Sequence, residues 1–307
     1  MYRNAYLLLI LTTLFWGGNA IAGKLALGHV SPMTLTALRW FFAFLLLLAV
    51  GWPRLRADWQ AVRAHLPLLV VLGALGFAVF NIAMYCALVF TTAINVSIEQ
   101  AGMPMVIFLA NYLLFRTRVT WIQVLGFALT LVGIVIVASH GDPRRLLALD
   151  LNLGDALMLG GVLVYSAYTV MLRWKPAIHW QSMMIVLSGA ATIASIPFAI
   201  GEFALGHGVM PDMQGWAVVA YTVVFPSALA QVFYMRGVEL IGPNRAGLFI
   251  NLVPIFGTLL SIVLLGETFE VFHAIAIVLV MGGIWLAEAS GRRMARTAVV
   301  EPGVSSQ

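Results

Sequence analysis

Charged residues are scarce in this chain of 307 residues: they make up 9% of it, against 62% hydrophobic residues. Soluble domains are about a quarter charged and about half apolar, so this composition excludes an ordinary soluble domain. The net charge is +5, yet the basic residues stand singly or in pairs between apolar runs and form no continuous basic face. The shortage of charge therefore predicts an integral membrane protein and argues against nucleic-acid binding.

Residues that carry catalysis or hold cofactors are also few. Cys86 is the single cysteine and lies inside an apolar run, which excludes an intrachain disulfide and a cysteine-based metal site. The stretch Gly18–Lys24 matches most of a phosphate loop, but Leu25 follows where Ser or Thr should bind magnesium. The six histidines all fall in links or near span ends: His29, His65, His140, His179, His207 and His273. We therefore predict no metal and no cofactor, and the pattern argues against an enzyme.

What the chain has in abundance is apolar runs. A helix rises 1.5 Å per residue, so about 20 apolar residues cross a hydrocarbon core of ~30 Å. The runs are continuous and lack the alternation of barrel strands, so they predict helices. The sequence thus predicts an all-α membrane protein with ten transmembrane helices, at 5–27, 32–50, 67–89, 93–116, 121–139, 154–173, 181–201, 214–236, 244–266 and 271–290.

The basic residues between the spans predict an orientation. With the N-terminus inside, 13 of the 17 Lys and Arg residues lie on the inner side, whereas Lys24, Arg144 and Arg145 lie outside. By the positive-inside rule both termini are then cytoplasmic. The first apolar run has full spanning length and no small-residue cleavage site, which predicts a retained helix. The expected location is the cytoplasmic membrane of a bacterium, its inner membrane.

The second half of the chain repeats the first. A shift of 150 residues places Pro104 on Pro254, and a shift of 149 places Asn19 on Tyr168. Each half holds five spans, an odd number, so the halves are expected to cross the bilayer in opposite directions, as the inverted repeats of secondary transporters do. The predicted division is 1–140 for the first repeat, 150–290 for the second, and 291–307 for a disordered cytoplasmic tail.

Three stretches carry a resemblance to a known family. They are "LFWGGNAIAGKLAL" in the first span, "SPMTLTALRWFFAFLLLL" in the second and "GPNRAGLFINLVPIFGTLLSIVLLGETF" around the ninth. With the ten spans and the repeat, they resemble the EamA-type ten-helix members of the drug/metabolite transporter (DMT) superfamily over about 5–290. The resemblance implies metabolite transport, often amino-acid efflux, and an aromatic amino-acid exporter is the nearest type.

The resemblance also implies an architecture for the transport path. It places a central cavity between spans 1, 3, 4, 6, 8 and 9, with spans 5 and 10 at the periphery. The small four-helix members of the superfamily keep a coupling glutamate in their first helix, and the first span here has none. Their proton-antiport mechanism is therefore not carried over to a matching residue.

Two charges lie inside spans, Arg39 in the second and Glu99 in the fourth. Both lie about 10 Å from the same predicted membrane edge, and Lys24 lies ~5 Å from it. A tie of Glu99 to Arg39 or Lys24 and a contact of Arg39 with a substrate carboxylate are both open, while Lys24 is expected to snorkel. The repeat equivalents of Arg39 and Glu99 are Ser188 and Phe249. We therefore expect Glu99 to face the cavity and to bind a substrate ammonium or a coupling proton.

Further residues on the cavity spans complete the predicted site. Trp16, Tyr165 and Tyr168 lie near mid-span, where they can stack a flat or apolar substrate, although helix packing explains them equally well. Tyr85 of the third span belongs to the same aromatic set, and Asn19 of the first span is included in the predicted site.

Prolines in the fourth and ninth spans predict hinges. Pro104 and Pro254 stand at equivalent depths and each removes a backbone hydrogen bond, so each is expected to kink its helix. With Gly102 adjacent, the fourth span can flex beside Glu99, and a fixed bend is the equal alternative.

The sequence as a whole predicts a secondary transporter that exports small metabolites, most of all amino acids, by alternating access around a central cavity. A broad exporter of drugs or cations is the alternative within this class, and a non-transport scaffold or receptor is the alternative outside it. The expected partners are an amino-acid-like metabolite and the lipid bilayer. Proton coupling and a homodimer through the peripheral helices are left open.

Overall fold

The structure, a computed structural model, describes residues 4–116, 120–142 and 152–300. Within these ranges all regular structure is helical. Ten helices follow the order of the predicted spans: α1 (Ala5–Leu25), α2 (Pro32–Ala64), α3 (Leu66–Phe90), α4 (Ala93–Phe115), α5 (Trp121–Ala138), α6 (Leu153–Trp174), α7 (Trp180–Ala204), α8 (Met213–Ile241), α9 (Arg245–Leu265) and α10 (Val271–Val300).

These helices confirm the all-α membrane fold. In the described ranges, α1 to α9 are long and apolar enough to cross a membrane by length and composition, and α10 has a shorter apolar part, Val271–Ala287. The opposite direction of the two halves, the cytoplasmic termini and the division at 140 and 150 stay predictions.

Two helices run beyond their predicted spans. α2 was expected to end near residue 50 and continues to Ala64, and α10 reaches Val300, inside the segment predicted as a disordered tail. In α2 the extension includes Asp58, which caps the start of α7, and in α10 the good helix formers Arg, Ala and Met follow the apolar run. Residues 301–307 of the predicted tail, and the predicted outer residues Arg144 and Arg145, lie outside the described residues.

α2 and α7 lie side by side and cap each other. Asp58, near the end of α2, accepts a hydrogen bond from the backbone N–H of His179 just before α7 (2.8 Å). Glu202, near the end of α7, accepts from the backbone N–H groups of Met33 (3.2 Å) and Thr34 (3.0 Å) in the first turn of α2. A helix N-terminus presents unpaired N–H groups and a partial positive charge, which a carboxylate satisfies. The pair is therefore antiparallel and ties the first half to the second at both ends.

α5 and α10 pack through small residues. A Cβ atom added at Gly126 would lie 2.4 Å from the carbonyl oxygen of Gly283, and one at Gly133 would lie 2.9 Å from that of Ala276. Such close approach of backbones is how small residues join helices in a bilayer, where no hydrophobic drive favours association. These glycine faces are thus used within the chain, and a homodimer through these two helices stays a prediction.

α3 and α8 each contain a segment of π-helix, at Ala74–Val79 and Val223–Leu229. The two segments begin 149 residues apart, the same shift that relates the two halves of the sequence. A π turn frees a backbone carbonyl from the regular ladder, and such turns often mark functional sites. The two halves therefore share an irregularity at equivalent places.

α4 and α9 are interrupted before their prolines. α4 consists of Ala93–Gln100 and Met103–Phe115, and α9 resumes at Val253 after a turn of 3₁₀-helix at Ile250–Leu252. Pro104 and Pro254 each occupy the second position of the resumed helix, where the missing N–H has no helical partner to lose. Each proline thus starts a new helical segment, and flexing at these points stays a prediction.

Candidate functional site

A buried polar cluster surrounds Arg39 in the middle of the bundle. Arg39 Nη1 lies within hydrogen-bonding distance of Asn19 Oδ1 (2.9 Å), Asn81 Oδ1 (2.7 Å) and Tyr85 Oη (2.6 Å). Arg39 Nε donates to Ser227 Oγ at 2.8 Å. All five side chains are buried, and we call them the Arg39 cluster.

The Arg39 cluster joins both halves of the chain. Asn19 comes from α1, Arg39 from α2, and Asn81 and Tyr85 from α3, whereas Ser227 comes from α8. Ser227 lies within the π segment of α8, and Asn81 follows the π segment of α3 by two residues. The irregular turns therefore bring the polar atoms of both halves to one guanidinium.

Two tryptophans satisfy the carbonyl oxygens that the π segments expose. Trp40 Nε1 donates to the carbonyl oxygen of Phe77 (2.9 Å), and Trp16 Nε1 donates to that of Pro226 (3.2 Å). Phe77 and Pro226 are equivalent under the shift of 149 residues. In a bilayer such carbonyls need a partner from the protein, because lipid offers none. The tryptophans thus hold the π segments in place on either side of Arg39.

Arg39 has neutral acceptors and no carboxylate partner in the described part of the chain. The ion pairs found there are His29–Asp212 and Arg236–Glu239. The tie between Arg39 and Glu99 that the sequence left open is therefore absent from this structure. Its absence follows from helix rotation: both residues lie at a similar depth, but they face different neighbours. The hydrogen bonds of Arg39 with described residues use Nε and Nη1, which leaves the two N–H groups of Nη2 for another acceptor.

A series of aromatic rings leads away from Arg39. Its guanidinium carbon lies 4.8 Å from the ring centroid of Trp40, which stacks on Phe77 at 4.5 Å. Phe77 contacts Tyr168 (6.0 Å), and Tyr168 contacts Tyr165 (5.2 Å). Stacking over Trp40 stabilises the cation, and the outer rings offer flat apolar surface. The predicted residues Tyr165 and Tyr168 of α6 are thus connected to the Arg39 cluster through rings of α2 and α3.

Trp16 contacts the π segment of α8 through its hydrogen bond to the carbonyl oxygen of Pro226. Its ring contacts that of Tyr234 at 5.4 Å, and both side chains are partly exposed. The structure therefore brings the predicted residues Asn19, Arg39 and Tyr85 into one cluster and places Trp16 one hydrogen bond from the segment that holds Ser227. Whether these residues line a substrate cavity stays a prediction.

Glu99 lies apart from the Arg39 cluster. Its side chain is 0% exposed, and neither carboxyl oxygen has a hydrogen-bond partner among the described residues. One turn earlier in α4, Asn95 Nδ2 approaches Asp155 Oδ1 of α6 at 3.4 Å, and the hydroxyl of Thr91 donates to the same oxygen. His273 Nε2 of α10 lies 3.1 Å from Asn95 Oδ1. We call these five residues the acid cluster.

Lys24 differs from its predicted role. Instead of snorkelling, its ammonium donates to the carbonyl oxygens of Leu88 (2.8 Å) and Thr91 (2.7 Å) at the end of α3. A cation at a helix C-terminus satisfies unpaired carbonyls and the helix dipole together. Lys24 is therefore a helix cap, and it is not a partner of Glu99.

Six residues of the two clusters were not singled out from the sequence as site residues: Asn81, Ser227, Thr91, Asn95, Asp155 and His273. Asn81 and Ser227 are single polar residues in apolar spans, and Pro226 next to Ser227 was the signal that could have drawn attention to them. Asp155 occupies the third position of α6, where an acid commonly stabilises a helix start. His273 was set aside because it stands near a helix end, and yet it is only 4% exposed.

Ten apolar helices with a polar cluster built from both halves at their centre define a multi-pass membrane transport protein. Comparison with known proteins supplies the family. The model of the EamA-like transporter family matches the chain twice, over residues 3–139 and 152–288. The chain belongs to this family, and the double match confirms an internal repeat.

Named relatives resemble the chain over nearly its whole length. "Uncharacterized transporter YyaM" of Bacillus subtilis is 23% identical and covers 93% of this chain and 94% of its own. "Uncharacterized inner membrane transporter YicL" of Salmonella typhimurium is 22% identical and covers 96% and 99%. "Probable amino-acid metabolite efflux pump" of the same organism is 25% identical and covers 98% and 99%. A crystal structure with 22% identity superposes with a TM-score of 0.62 over 94% of this chain and 98% of its own, which supports the fold.

These comparisons confirm the class predicted from the sequence. The family and its relatives are transporters and not enzymes, so the chain is a multi-pass membrane transporter. A relative of the inner membrane agrees with the predicted location in the cytoplasmic membrane.

Proposed function

We propose that this transporter exports small metabolites that carry a carboxylate, amino acids first among them, by alternating access. The observation that carries the proposal is Arg39, a buried guanidinium between the two halves with only neutral acceptors in the described part of the chain. A lone charge within a bilayer costs about 3 kcal/mol on insertion scales. A substrate carboxylate is the partner that would offset this cost.

The two N–H groups of Arg39 Nη2, which have no acceptor among the described residues, suit a carboxylate. A guanidinium binds a carboxylate through two parallel N–H···O bonds, which makes it more selective for this group than an ammonium is. Nη2 has both N–H groups available, and Nη1 has three oxygens around two N–H groups. One neutral acceptor of Nη1 can therefore give way to a carboxylate oxygen without leaving a buried donor unpaired.

The aromatic rings beside the Arg39 cluster favour substrates with a flat or apolar side chain. Tyr165, Tyr234 and Trp16 are partly exposed, whereas Arg39 is only 4% exposed. A substrate bound with its carboxylate at Arg39 would place its side chain toward these rings, where stacking adds affinity. This arrangement agrees with export of aromatic amino acids, the type that the sequence resembles.

The position of Arg39 between the halves supports alternating access. Its hydrogen bonds reach α3 in the first half and the π segment of α8 in the second. A ligand that replaces one of these bonds changes how the halves are held together, which is the requirement for a ligand to shift a conformational equilibrium. The absence of a phosphate loop leaves solute or ion gradients as the energy source.

One relative supports the substrate class. The probable amino-acid metabolite efflux pump of Salmonella typhimurium aligns with 98% of this chain at 25% identity. The alternative, a broad exporter of drugs or cations, is disfavoured at the Arg39 cluster because a buried guanidinium repels a second cation.

The proposal is tested by counterflow in proteoliposomes. Labelled phenylalanine inside the vesicles is exchanged against an external panel of amino acids, the corresponding amino-acid amides and cationic drugs. We expect exchange with the acids, and at least tenfold weaker exchange with the amides, because the amides lack the carboxylate that Arg39 binds. Exchange with cationic drugs and not with amino acids would overturn the proposal in favour of the alternative.

Two variants link the panel to Arg39. Arg39→Gln should abolish exchange of the acids, while Arg39→Lys keeps the charge but loses the two-bond geometry, so a residual rate about 10 to 100 times lower is expected. Arg56→Gln is the matched control, because Arg56 lies on the same helix and is exposed. If Arg39→Gln lowers acid and amide exchange equally, Arg39 does not recognise the carboxylate.

A further inference from the structure

The acid cluster contains two buried carboxyl groups for which the transport site has no use. Glu99 is 0% exposed and Asp155 is 1% exposed. Both oxygens of Glu99 and Oδ2 of Asp155 lack a hydrogen-bond partner among the described residues. Asn95 connects the two acids only in part: it approaches Asp155 Oδ1 at 3.4 Å, and it stands four residues before Glu99 on the same helix face.

Asp155 alone has an ordinary structural explanation. It stands in the first turn of α6, where a carboxylate stabilises the helix dipole, and its Oδ1 accepts from Thr91 and Asn95. Glu99 has no such explanation. It lies in the last turn of the first segment of α4, near the negative end of that segment, which disfavours a carboxylate there.

No basic group of the surrounding elements neutralises Glu99. Lys24 of α1 donates its ammonium to carbonyl oxygens of Leu88 and Thr91. The ring of His140, which follows α5, contacts that of Phe272 (6.2 Å). His273 of α10 accepts from the backbone N–H of Glu270 and lies 3.1 Å from Asn95 Oδ1, so both of its ring nitrogens are engaged. Neither carboxyl oxygen of Glu99 has a hydrogen-bond partner among the described residues, so none of these basic groups pairs with it.

Glu267, another acid near α4, already has hydrogen-bond partners. Glu267, in the link before α10, accepts from the backbone N–H groups of Ala93 (2.8 Å) and Ile94 (3.0 Å) and caps the start of α4. α9 packs closely on α4 at Gly257, because a Cβ added at this glycine would lie 2.3 Å from Ser97 Oγ. Glu99 therefore shares this part of the bundle with Asp155, whose Oδ2 also has no hydrogen-bond partner among the described residues.

The ligand that these surroundings fit is a proton. A metal ion needs about six oxygen ligands, but Asp155 Oδ1 faces the hydroxyl of Thr91 and the amide N–H of Asn95, which are donors. A substrate ammonium needs access, and Glu99 has none in this conformation. A proton neutralises a buried carboxylate without a ligand shell, and two carboxyl groups in one dry site cannot both carry charge.

We propose that Glu99, with Asp155 beside it, binds one exchangeable proton whose uptake and release are coupled to transport. The step is a plain protonation: the carboxylate of Glu99 takes a proton from the water at the end of the bundle where α4, α6 and α10 begin, and returns it in the other conformation. His273, Asn95 and Asp155 form a hydrogen-bonded series toward that end. Glu99 is thus a site for the driving ion, separate from the Arg39 cluster.

The two sites are joined by a close contact of helices. A Cβ at Gly17 of α1 would lie 2.8 Å from the backbone nitrogen of Gly257 in α9, and Gly257 in turn packs on Ser97 of α4. Gly17 stands two residues before Asn19 of the Arg39 cluster, and Ser97 stands two residues before Glu99. A shift of the first segment of α4 on protonation is therefore passed to α1 without a gap in the packing.

Proton binding is tested without transport. Infrared difference spectra of the purified protein in lipid, recorded between neutral and alkaline pH, should show the carbonyl stretch of a protonated carboxyl group, because exposed carboxyl groups with an ordinary pKa of about 4 stay ionised throughout this range. We expect this band to disappear in Glu99→Gln and to shift in Asp155→Asn, while the exposed control Glu239→Gln leaves it unchanged. Size-exclusion profiles identify variants that fail to fold. A band that persists unaltered in both Glu99→Gln and Asp155→Asn overturns the proposal.

Coupling is tested in proteoliposomes and rests on the proposed transport function. In the wild type, a pH gradient of the correct sign should drive substrate accumulation, and Glu99→Gln should lose this accumulation entirely. If the wild type fails to exchange any amino acid, the proposed function is wrong while the infrared result stands. If the wild type exchanges amino acids but neither sign of pH gradient drives accumulation, the coupling is wrong and the proposed function stands.

Discussion

The Arg39 cluster and the acid cluster have opposite charge and opposite hydrogen bonding. In the first, one cation is surrounded by neutral acceptors from both halves of the chain. In the second, two acids lie in a packed region where Glu99 has no hydrogen-bond partner among the described residues. Two opposite charges in one bilayer would be expected to pair, because pairing offsets the cost of burying each.

The separation of the two charges bears on how each can bind a ligand. A pair of Arg39 with Glu99 would be stable and would respond neither to a substrate carboxylate nor to a proton. Separation leaves each group without an opposite charge from the protein, so each can respond to a ligand that supplies one. The difference between the clusters thus supports the proposal of an anion at one site and a proton at the other.

The largest expected effect comes from exchanging the two charges. Arg39→Glu combined with Glu99→Arg should be inactive for two reasons. A glutamate at position 39 would meet only oxygen acceptors, and an arginine at position 99 would form a fixed ion pair with an acid such as Asp155 and could no longer take up and release a proton. Counterflow of labelled phenylalanine in proteoliposomes measures the rate.

The single variants Arg39→Gln and Glu99→Gln complete this experiment. Residues that do not touch have additive effects on stability, so the double neutral variant should change the free energy of unfolding by the sum of the two single changes within about 0.5 kcal/mol. Rescue of transport by the charge exchange would show that the two residues pair in the functional cycle, and the separation of the clusters would then be wrong.

The second effect concerns the neutral acceptors of Arg39. Asn81→Ala and Ser227→Ala each remove one partner of a buried cation, which costs about 1.5 to 3 kcal/mol, or roughly 10 to 100 times in substrate affinity. Competition by unlabelled substrate in the counterflow assay measures the affinity. Because Asn81 belongs to α3 and Ser227 to α8, similar losses would show that both halves support the site.

A matched control for these variants lies in the acid cluster. Thr91→Ala removes a hydroxyl that donates to Asp155 and should leave substrate affinity unchanged, since Thr91 has no contact with Arg39. Equal effects of Thr91→Ala and Asn81→Ala on affinity would contradict two separate sites.

Much of the fold follows from the sequence because burial in a bilayer leaves few choices. Apolar runs of spanning length must be helical there, so the order of the ten helices was predictable. The extension of α2 to Ala64 was not, because outside the membrane the helix is held by a contact in space, the cap that Asp58 provides to α7. Hydropathy records lipid contact and contains no information about such caps.

The candidate site was predictable in part. Sequence position gives the depth of a residue in the membrane, which is why Arg39, Asn19 and Tyr85 could be selected. It does not give the direction in which a side chain points, because that direction depends on how the whole helix is rotated about its axis. Neighbouring positions differ by about 100°, so a modest rotation of the helix changes which residues a side chain meets. For this reason Glu99 and Arg39 were considered as a pair, and Asn81 and Ser227, which depend on two π segments, were missed.

A third and smaller effect is expected at the contact that joins the clusters. Gly257→Ala places a Cβ 2.3 Å from Ser97 Oγ, so α9 and α4 must separate slightly, at a cost of about 1 to 3 kcal/mol in the free energy of unfolding. Thermal unfolding of the purified protein measures it. Gly282→Ala is the control, because nothing lies within 4 Å of a Cβ at that glycine.

Substrate transport in the same variant tests whether the Gly257–Ser97 contact transmits a shift between the two clusters. If Gly257→Ala with Ser97→Gly regains both stability and pH-driven accumulation, the contact passes the shift between the clusters. A Gly257→Ala protein that is destabilised but keeps full accumulation would show that the contact is only structural.

The smallest effect is expected for a charge outside the spans, which serves as the reference for both buried clusters. Asp212 precedes α8, accepts from the backbone N–H of Gly215 (2.8 Å) and lies 2.7 Å from His29 Nδ1. The hydrogen bond from Gly215, and next that from His29, hold the pKa of Asp212 below its ordinary value. A lowered pKa in the folded state means that the carboxylate stabilises the fold above the ordinary pKa of about 4, and that this stabilisation is lost as the pH falls through the lower value.

Asp212→Ala should therefore lower the melting temperature slightly at neutral pH, and the difference from the wild type should shrink as the pH falls through the lowered pKa of Asp212, because the wild-type carboxyl is then protonated too. Transport should be unchanged, because an exposed charge is hydrated in every conformation and gains nothing from a ligand. Melting curves at both pH values and the counterflow assay check this. A loss of transport as large as that of Asn81→Ala would mean that burial is not what distinguishes the two clusters from other charges of the chain.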